Sequence, residues 1–332
     1  FKFEKFSMTK VAVIGAGMCG ISCASYLQKN GFGVTIFEKS RGIGGRMASR
    51  RINEQVSVDH GAQYIKPYSK NFLHFLEETV RAGFASSWSP LGMAKNYIQE
   101  KKIFVGTPRM NSILKNPSND LEINFSSKIN KIFSKFNKWK LVIEGIEYQK
   151  EFDIVVFAIP FHQISEIIDD AWSAVKKISK VKMSPCWTLM LLTKNKLSFS
   201  DYEKLDNEKI SSITFDTSKP QRNKKFNSYI IHSNPNWSER YISYDQNKIE
   251  EMLINILTKD FGQDLNIEYI KAHRWLYAQT TAPLGKPFIK NENNSLYAGG
   301  DWCLGTNVES AFTSGIEIGK SIKSYCTNFH LK

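Results

Sequence analysis

Near the start of the chain, Gly15-Ala16-Gly17-Met18-Cys19-Gly20 forms a G-x-G-x-x-G, a spacing that fits the main chain to binding anions rather than to breaking bonds. The first glycine permits a tight turn, the second lets the backbone approach a pyrophosphate, and the third lets a helix pack closely on a strand. Such a motif alone is common, so its surroundings decide its meaning. Here the apolar run Val11 to Ile14 precedes it, a helix to about Lys29 follows, and a second strand, Val34 to Phe37, ends at Glu38. An acidic side chain at that point accepts hydrogen bonds from a ribose diol. The helix N-terminus offers unpaired N–H groups and a positive dipole end to the phosphates.

A second Gly-rich loop, Arg41-Gly42-Ile43-Gly44-Gly45-Arg46, comes directly after the ribose acid. Simple nicotinamide Rossmann domains lack it, and it adds another backbone approach and a cation near the phosphates. Late in the chain, Gly299-Gly300-Asp301 leads into a helix rich in small residues, from about Val308 to Tyr325. The sequence has no second G-x-G-x-x-G and no C-x-x-C. That argues against a disulfide reductase or an enzyme with a separate nicotinamide domain, so a pyridine nucleotide would have to visit as a substrate.

These motifs need elements to hold them. At roughly 150 residues per domain, the 332 residues suggest two domains. Apolar positions Phe72, Leu73, Phe75, Leu76 and Val80 recur at helical spacing. Short strands are expected at Leu121 to Phe125, Ile129 to Phe133 and Trp139 to Ile143, and the run from Phe152 to Pro160 has the continuous apolar character of a buried parallel strand. An amphipathic helix is expected at Lys248 to Leu257 and a strand at Leu296 to Ala298. The pattern reads as an α/β chain: a discontinuous Rossmann-like domain (8–67, 116–160 and 291–325) with an inserted mixed α+β substrate domain (68–115 and 161–290). Residues 1–7 read as an upstream extension, with Met8 the natural start.

The formal net charge is +13, from 45 Lys and Arg against 32 Asp and Glu. A balance of that sign favours anionic partners. However, only nine of the cations are Arg and no compact basic stretch is laced with aromatics, which argues against a nucleic-acid reading. The five cysteines and six histidines match no zinc spacing, so no metal is expected. The odd, scattered cysteines fit reduced thiols in a cytoplasm, with Cys19 and Cys23 as small buried residues on one helix. The most apolar stretch, Val11 to Leu27, is broken by Gly15, Gly17 and Gly20, and is too short to span a membrane.

Taken with Gly44-Gly45-Arg46 and Gly300-Asp301, the opening motif resembles the FAD-binding flavoproteins of the amine oxidase superfamily, with their two-dinucleotide-binding-domain organisation. Within it the chain is most similar to the renalase group, particularly its bacterial members. The similarity is carried by Phe37-Glu38-Lys39-Ser40-Arg41-Gly42-Ile43-Gly44-Gly45-Arg46-Met47, Gly61-Ala62-Gln63-Tyr64, His273-Arg274-Trp275-Leu276-Tyr277-Ala278 and Gly300-Asp301-Trp302-Cys303-Leu304. The resemblance implies non-covalent FAD and oxidation of 2- or 6-dihydro isomers of NAD(P)H to NAD(P)+. Hydride would pass to flavin N5 and O2 would reoxidise the flavin to H2O2. Such chemistry removes no substrate proton, so stacking and orientation would carry most of it.

The resemblance further implies residue roles. Gly15, Gly17, Cys19, Gly20, Glu38, Lys39, Gly45, Arg46, Gln63, Tyr64, Asp301 and Val308 would hold FAD, Cys19 and Val308 through backbone N–H groups, and Ile129 would meet the adenine side through its main chain. Tyr64, His232, Trp275 and Tyr277 would line the substrate pocket. The chain departs from classical monoamine oxidases at Gly305-Thr306-Asn307-Val308-Glu309-Ser310-Ala311, where Asn307 stands in place of a cage tyrosine. Two alternatives stay open at this point: a flavin enzyme acting on an amine or isoprenoid, and a non-catalytic flavin-binding protein.

Overall fold

The computed structural model describes residues 8–93, 102–168, 172 and 180–329; the extension expected at residues 1–7 lies outside them. The chain divides into two compact units. One draws on Phe1–Gly45, Pro117–Lys182 and Thr280–Lys332, the other on Arg46–Asn116 and Met183–Gln279.

The first unit is built on a six-stranded sheet. The strand Lys10–Ile14 pairs in parallel with Gly33–Phe37 on one side and Ile154–Phe157 on the other. Outside these lie Glu122–Asn124 and Leu296–Ala298, also parallel, with Ile289–Lys290 antiparallel at one edge. The order reverses between the first strand and Ile154–Phe157, and open α/β sheets bind ligands beyond the carboxyl ends of strands at such a point. All four residues of Ile154–Phe157 are buried, as the unbroken apolar run requires. The helix Met18–Lys29 follows the first strand, and the helix Val308–Phe329 closes the chain. A three-stranded antiparallel sheet formed by Ile129–Lys135, Lys138–Ile143 and Ile146–Glu147 completes this unit.

The second unit centres on a five-stranded sheet with strands in the order Tyr202–Lys204, Ile210–Phe215, Asn227–Ser233, Lys182–Thr193 and Ile267–Ala282. One face packs on Trp187, Leu189, Leu191, Ile213, Tyr229 and Ile231, together with Ile249 and Leu253 from the helix Gln246–Asn255. The alternate residues Met190, Leu192 and Ile230 face the other way, onto Val56 and Val58 of the hairpin Ser49–Arg51/Ser57–Asp59. This is why residues 46–67, expected with the dinucleotide-binding segments, cluster with the second unit. The helix Lys70–Arg81 buries Phe72 and Leu76 as its periodicity requires, and Ser69 caps its start by accepting from the Phe72 N–H.

Candidate active site

The three glycines of the opening motif behave differently when a Cβ is imagined on each. At Gly15, with φ +106°, it would lie 2.6 Å from the Ala158 carbonyl oxygen, and at Gly20 it would lie 1.9 Å from the Gly15 oxygen. Both are packing constraints. At Gly17 the nearest atom is the Gly44 carbonyl oxygen at 3.9 Å, so this backbone faces open space. The helix that starts at Met18 has no side-chain cap and no acidic residue in its first turn. Its N-terminal N–H groups are therefore available to a ligand. A pyrophosphate fits this cradle in shape and in charge.

Glu38 sits at the end of the second strand, buried, with one carboxylate oxygen accepting from the Ala16 N–H and the other from the Ser40 N–H, both at 2.8 Å. Two bonds leave lone pairs on a carboxylate, enough to accept from a ribose diol. The Ser127 N–H bonds to the Glu38 carbonyl and the Ser126 N–H to that of Ser40, which brings the start of the strand at Ile129 to the same end of the sheet. Lys39 is exposed and reaches the Gln163 side chain at 3.4 Å. A Cβ imagined on Gly45 would come 3.6 Å from the Gly17 Cα, so the second glycine loop runs beside the first.

Asp301 is buried and accepts from the Thr280 hydroxyl at 3.0 Å. The Ser314 hydroxyl accepts from the Gly300 N–H at 2.9 Å and stands 3.8 Å from the Cys19 sulfur, tying this loop to the opening helix. Burial pushes the Cys19 thiol up to about 12, so it packs and does not act as a nucleophile. Asn307 accepts from the Ser310 N–H at 2.7 Å, which makes it the cap of the closing helix at Val308. Gly315 and Gly319 let that helix lie directly on the opening one, since a Cβ at Gly315 would be 2.2 Å from the Cys19 oxygen and one at Gly319 2.7 Å from the Tyr26 ring.

The second unit gathers a separate group. In the strand Ile267–Ala282, His273, Trp275 and Tyr277 fall on one face by the two-residue period. The Trp275 ring stacks on His60 at 5.1 Å, His273 meets Trp275 edge-on at 4.4 Å, and His60 meets His273 edge-on at 4.9 Å. The His60 carbonyl accepts from the Trp275 indole at 3.0 Å and also hydrogen-bonds the His232 ring. His232 lies 3.4 Å from the Ser212 hydroxyl. Burial drives the His60 pKa down to about 3, with His273 and Arg50 adding to it; burial takes His232 and His273 down to about 4, Arg50 also acting on His273. All three rings are neutral at pH 7. Tyr64 meets Tyr202 edge-on at 5.3 Å.

Arg46 and Gln63, both expected beside the cofactor, also belong to this unit. The Arg46 guanidinium donates to the Ala278 carbonyl at 3.1 Å, and Gly61 passes so near the Arg46 carbonyl that a Cβ would come within 2.0 Å. The Gln63 amide donates to the Asp59 and Gly61 carbonyls, and its oxygen accepts from Lys219 at 3.1 Å. Gln63 is thus tied into a buried ionic cluster that the sequence did not disclose. Lys219, wholly buried, donates to Asp59 at 3.1 Å and Asp216 at 2.7 Å, and Arg222 donates to Asp59 at 2.5 Å. Burial works to raise the Asp59 pKa, but Lys219 and Arg222 overcome it and hold the carboxyl well below its usual range. Burial leaves Asp216 raised. His60 and His273 were also missed as site residues, although His273 stands two places from Trp275 in a strand and His60 adjoins Gly61-Ala62-Gln63-Tyr64.

The model of the NAD(P)-binding Rossmann-like domain family matches residues 13–79. Renalase from Mus musculus is 25% identical over 353 residues, covering 96% of this chain and all of the mouse protein. The chain is similar to renalase over nearly its whole length. A chloroplastic/mitochondrial protoporphyrinogen oxidase 2 from Arabidopsis thaliana is 28% identical over 168 residues, half of this chain and 29% of that protein. Among solved structures, cyclohexylamine oxidase from Brevibacterium oxydans IH-35A superposes with a TM-score of 0.71 at 11% identity, over 96% of this chain and all of that one. This last likeness concerns the fold.

Proposed function

We propose that the protein is an FAD-dependent oxidase of renalase type that converts 2- or 6-dihydro isomers of NAD(P)H to NAD(P)+. In this reading the first unit binds FAD non-covalently and the second receives the small-molecule donor. FAD would supply a hydride acceptor at N5 and a route for both electrons, with a proton, to O2, giving H2O2. The observation that carries the reading is the neutral character of the His60, His232, His273 and Trp275 group. A dihydronicotinamide that loses hydride becomes a pyridinium cation, and cationic imidazoles around it would oppose that charge. Neutral rings do not, and a stacked indole favours it.

The residues of the cradle fit the cofactor. Gly17 leaves room for a pyrophosphate, Glu38 presents acceptors to a ribose, and the uncapped helix faces the phosphates. Trp275, Tyr64 and Tyr277 provide flat faces for a planar ring, and the His60 carbonyl holds Trp275 in orientation. The buried thiols and the histidines held neutral supply no acid–base pair, in keeping with a reaction that needs none. The five free cysteines suit a reducing cytoplasm, and among the described residues no helix is long and apolar enough to cross a membrane.

The test is an anaerobic absorbance trace of the purified protein mixed with separated 2-, 4- and 6-dihydro isomers. Rapid bleaching of the flavin band by the 2- or 6-isomer, with colour restored by air, is the expected result. A yellow protein that no isomer bleaches would overturn the substrate assignment.

A further inference from the structure

Beside the aromatic group stands a guanidinium with nothing to neutralise it. Arg50 lies in the middle of the strand Ser49–Arg51, opposite Val58. Its hairpin is pinned by the Ser49 hydroxyl, which donates to Asp59 at 2.5 Å, and the next residue is His60. Arg50 is exposed, and among the described residues no carboxylate pairs with it. Ser49 pairs with Asp59 and Arg50 with Val58, so the two-residue period puts Arg50 on the hairpin face that Val58 and His60 share, and its charge acts on both His60 and His273. The second unsatisfied group is His60 itself: its Nδ1 is buried without a hydrogen-bond partner, in a side chain only 7% exposed. An unpaired cation and an unpaired imidazole nitrogen at the margin of a stacking surface together call for an anion with several acceptor oxygens.

We propose that Arg50 and the Nδ1 of His60 form a phosphate subsite that holds the anionic tail of a dinucleotide donor while the Trp275 and His273 rings receive its planar end. This rests on the dihydronicotinamide reading and extends it to specificity. Phosphate-bearing donors are selected over the bare riboside by Arg50, and the hydride chemistry itself does not depend on it. The contact is exposed on the Arg50 side, so salt weakens it.

The experiment uses the flavin-loaded protein, so that the glycine cradle is filled, and measures binding of oxidised NAD+ and of nicotinamide riboside by calorimetry. In the native protein NAD+ binds at least about tenfold more tightly than the riboside, and the margin shrinks as salt is raised. Arg50→Gln weakens NAD+ by about tenfold and leaves the riboside unchanged, whereas Arg50→Lys recovers part of the loss. Equal binding of NAD+ by the native and Arg50→Gln proteins, or a native protein that holds the riboside as tightly as NAD+, overturns the subsite. The two readings fail separately. A protein bleached by a 2- or 6-dihydro isomer but indifferent to Arg50→Gln loses the subsite and keeps the substrate. One that shows the Arg50 effect on NAD+ but is bleached by no isomer keeps the subsite and loses the reaction.

Discussion

Trp275 is bound to His60 twice: its indole N–H donates to the His60 carbonyl at 3.0 Å, and its ring lies on the His60 imidazole at 5.1 Å. The two residues are 215 positions apart in the chain, yet one fixes both the tilt and the position of the other. Trp275→Ala removes a flat face of the proposed donor site and should slow anaerobic flavin reduction by about a hundredfold, with FAD content unchanged. Trp275→Phe keeps the stack and loses the bond to the carbonyl, so its rate should fall between the two. A stopped-flow trace with native reduction in Trp275→Ala would remove the residue from the site.

Gly17 and Gly20 should respond oppositely to the same added atoms. Gly17→Val places its side chain where the structure leaves room, so the protein should fold and purify colourless or with little flavin. At Gly20 the first added carbon meets the Gly15 carbonyl at 1.9 Å, so Gly20→Val should not yield folded protein. Circular dichroism and flavin absorbance on each variant check the pair.

Glu38→Ala removes the acceptor of one buried and one half-buried N–H bond and of the proposed ribose contact. A hydrogen bond to a charged group contributes about 1.5–3 kcal/mol. Stability without cofactor should therefore fall by about 2 kcal/mol in a urea titration, and FAD affinity by about tenfold or more.

The three histidines of the second unit give a pH dependence of known sign. Their pKa values are lowered in the fold, so below the ordinary value of 6.5 the unfolded chain takes up protons that the folded one refuses. Stability is complete above about pH 6.5 and is lost as pH falls toward 4. The melting temperature should decline through that window, and His273→Gln, at the most solvated of the three sites, should make the decline shallower without abolishing the fold.

Lys219→Met leaves the buried Asp59 and Asp216 facing each other with Arg222 as the one cation left to them among the described residues. A loss of about 3–5 kcal/mol is expected from such a change, read from the shift of the urea midpoint. Adding Asp216→Asn should restore part of it, because one of the stranded charges is then gone.

What could be read from the sequence was what is local in it. The motif at Gly15–Gly20, the acid at Glu38 and the closing helix at Val308 each declare themselves within a few residues, because a turn, a strand end and a helix start are set by neighbours. Asn307, noted only as a missing tyrosine, caps a helix, a role its type and place could have announced. The cluster of Asp59, Asp216, Lys219 and Arg222 could not be read, since Lys219 and Asp59 are 160 residues apart and a lysine in a lysine-rich chain looks like surface. The same distance hid the His60 stack. Gln63, assigned to the cofactor, spends its amide on Asp59, Gly61 and Lys219, a partnership that exists only once the second unit has formed.

The closing helix also sets an order in time. The opening helix emerges early in synthesis, but Gly315 and Gly319, which press against Cys19 and Tyr26, emerge only after both stretches of the second unit, Arg46–Asn116 and Met183–Gln279, have been made. The second unit can thus collapse while the first still waits for its cover. On the proposed FAD reading, capture of the cofactor becomes the concluding event of biogenesis. A nascent chain stalled before Gly315 carries the whole glycine loop and still has no finished place for a dinucleotide.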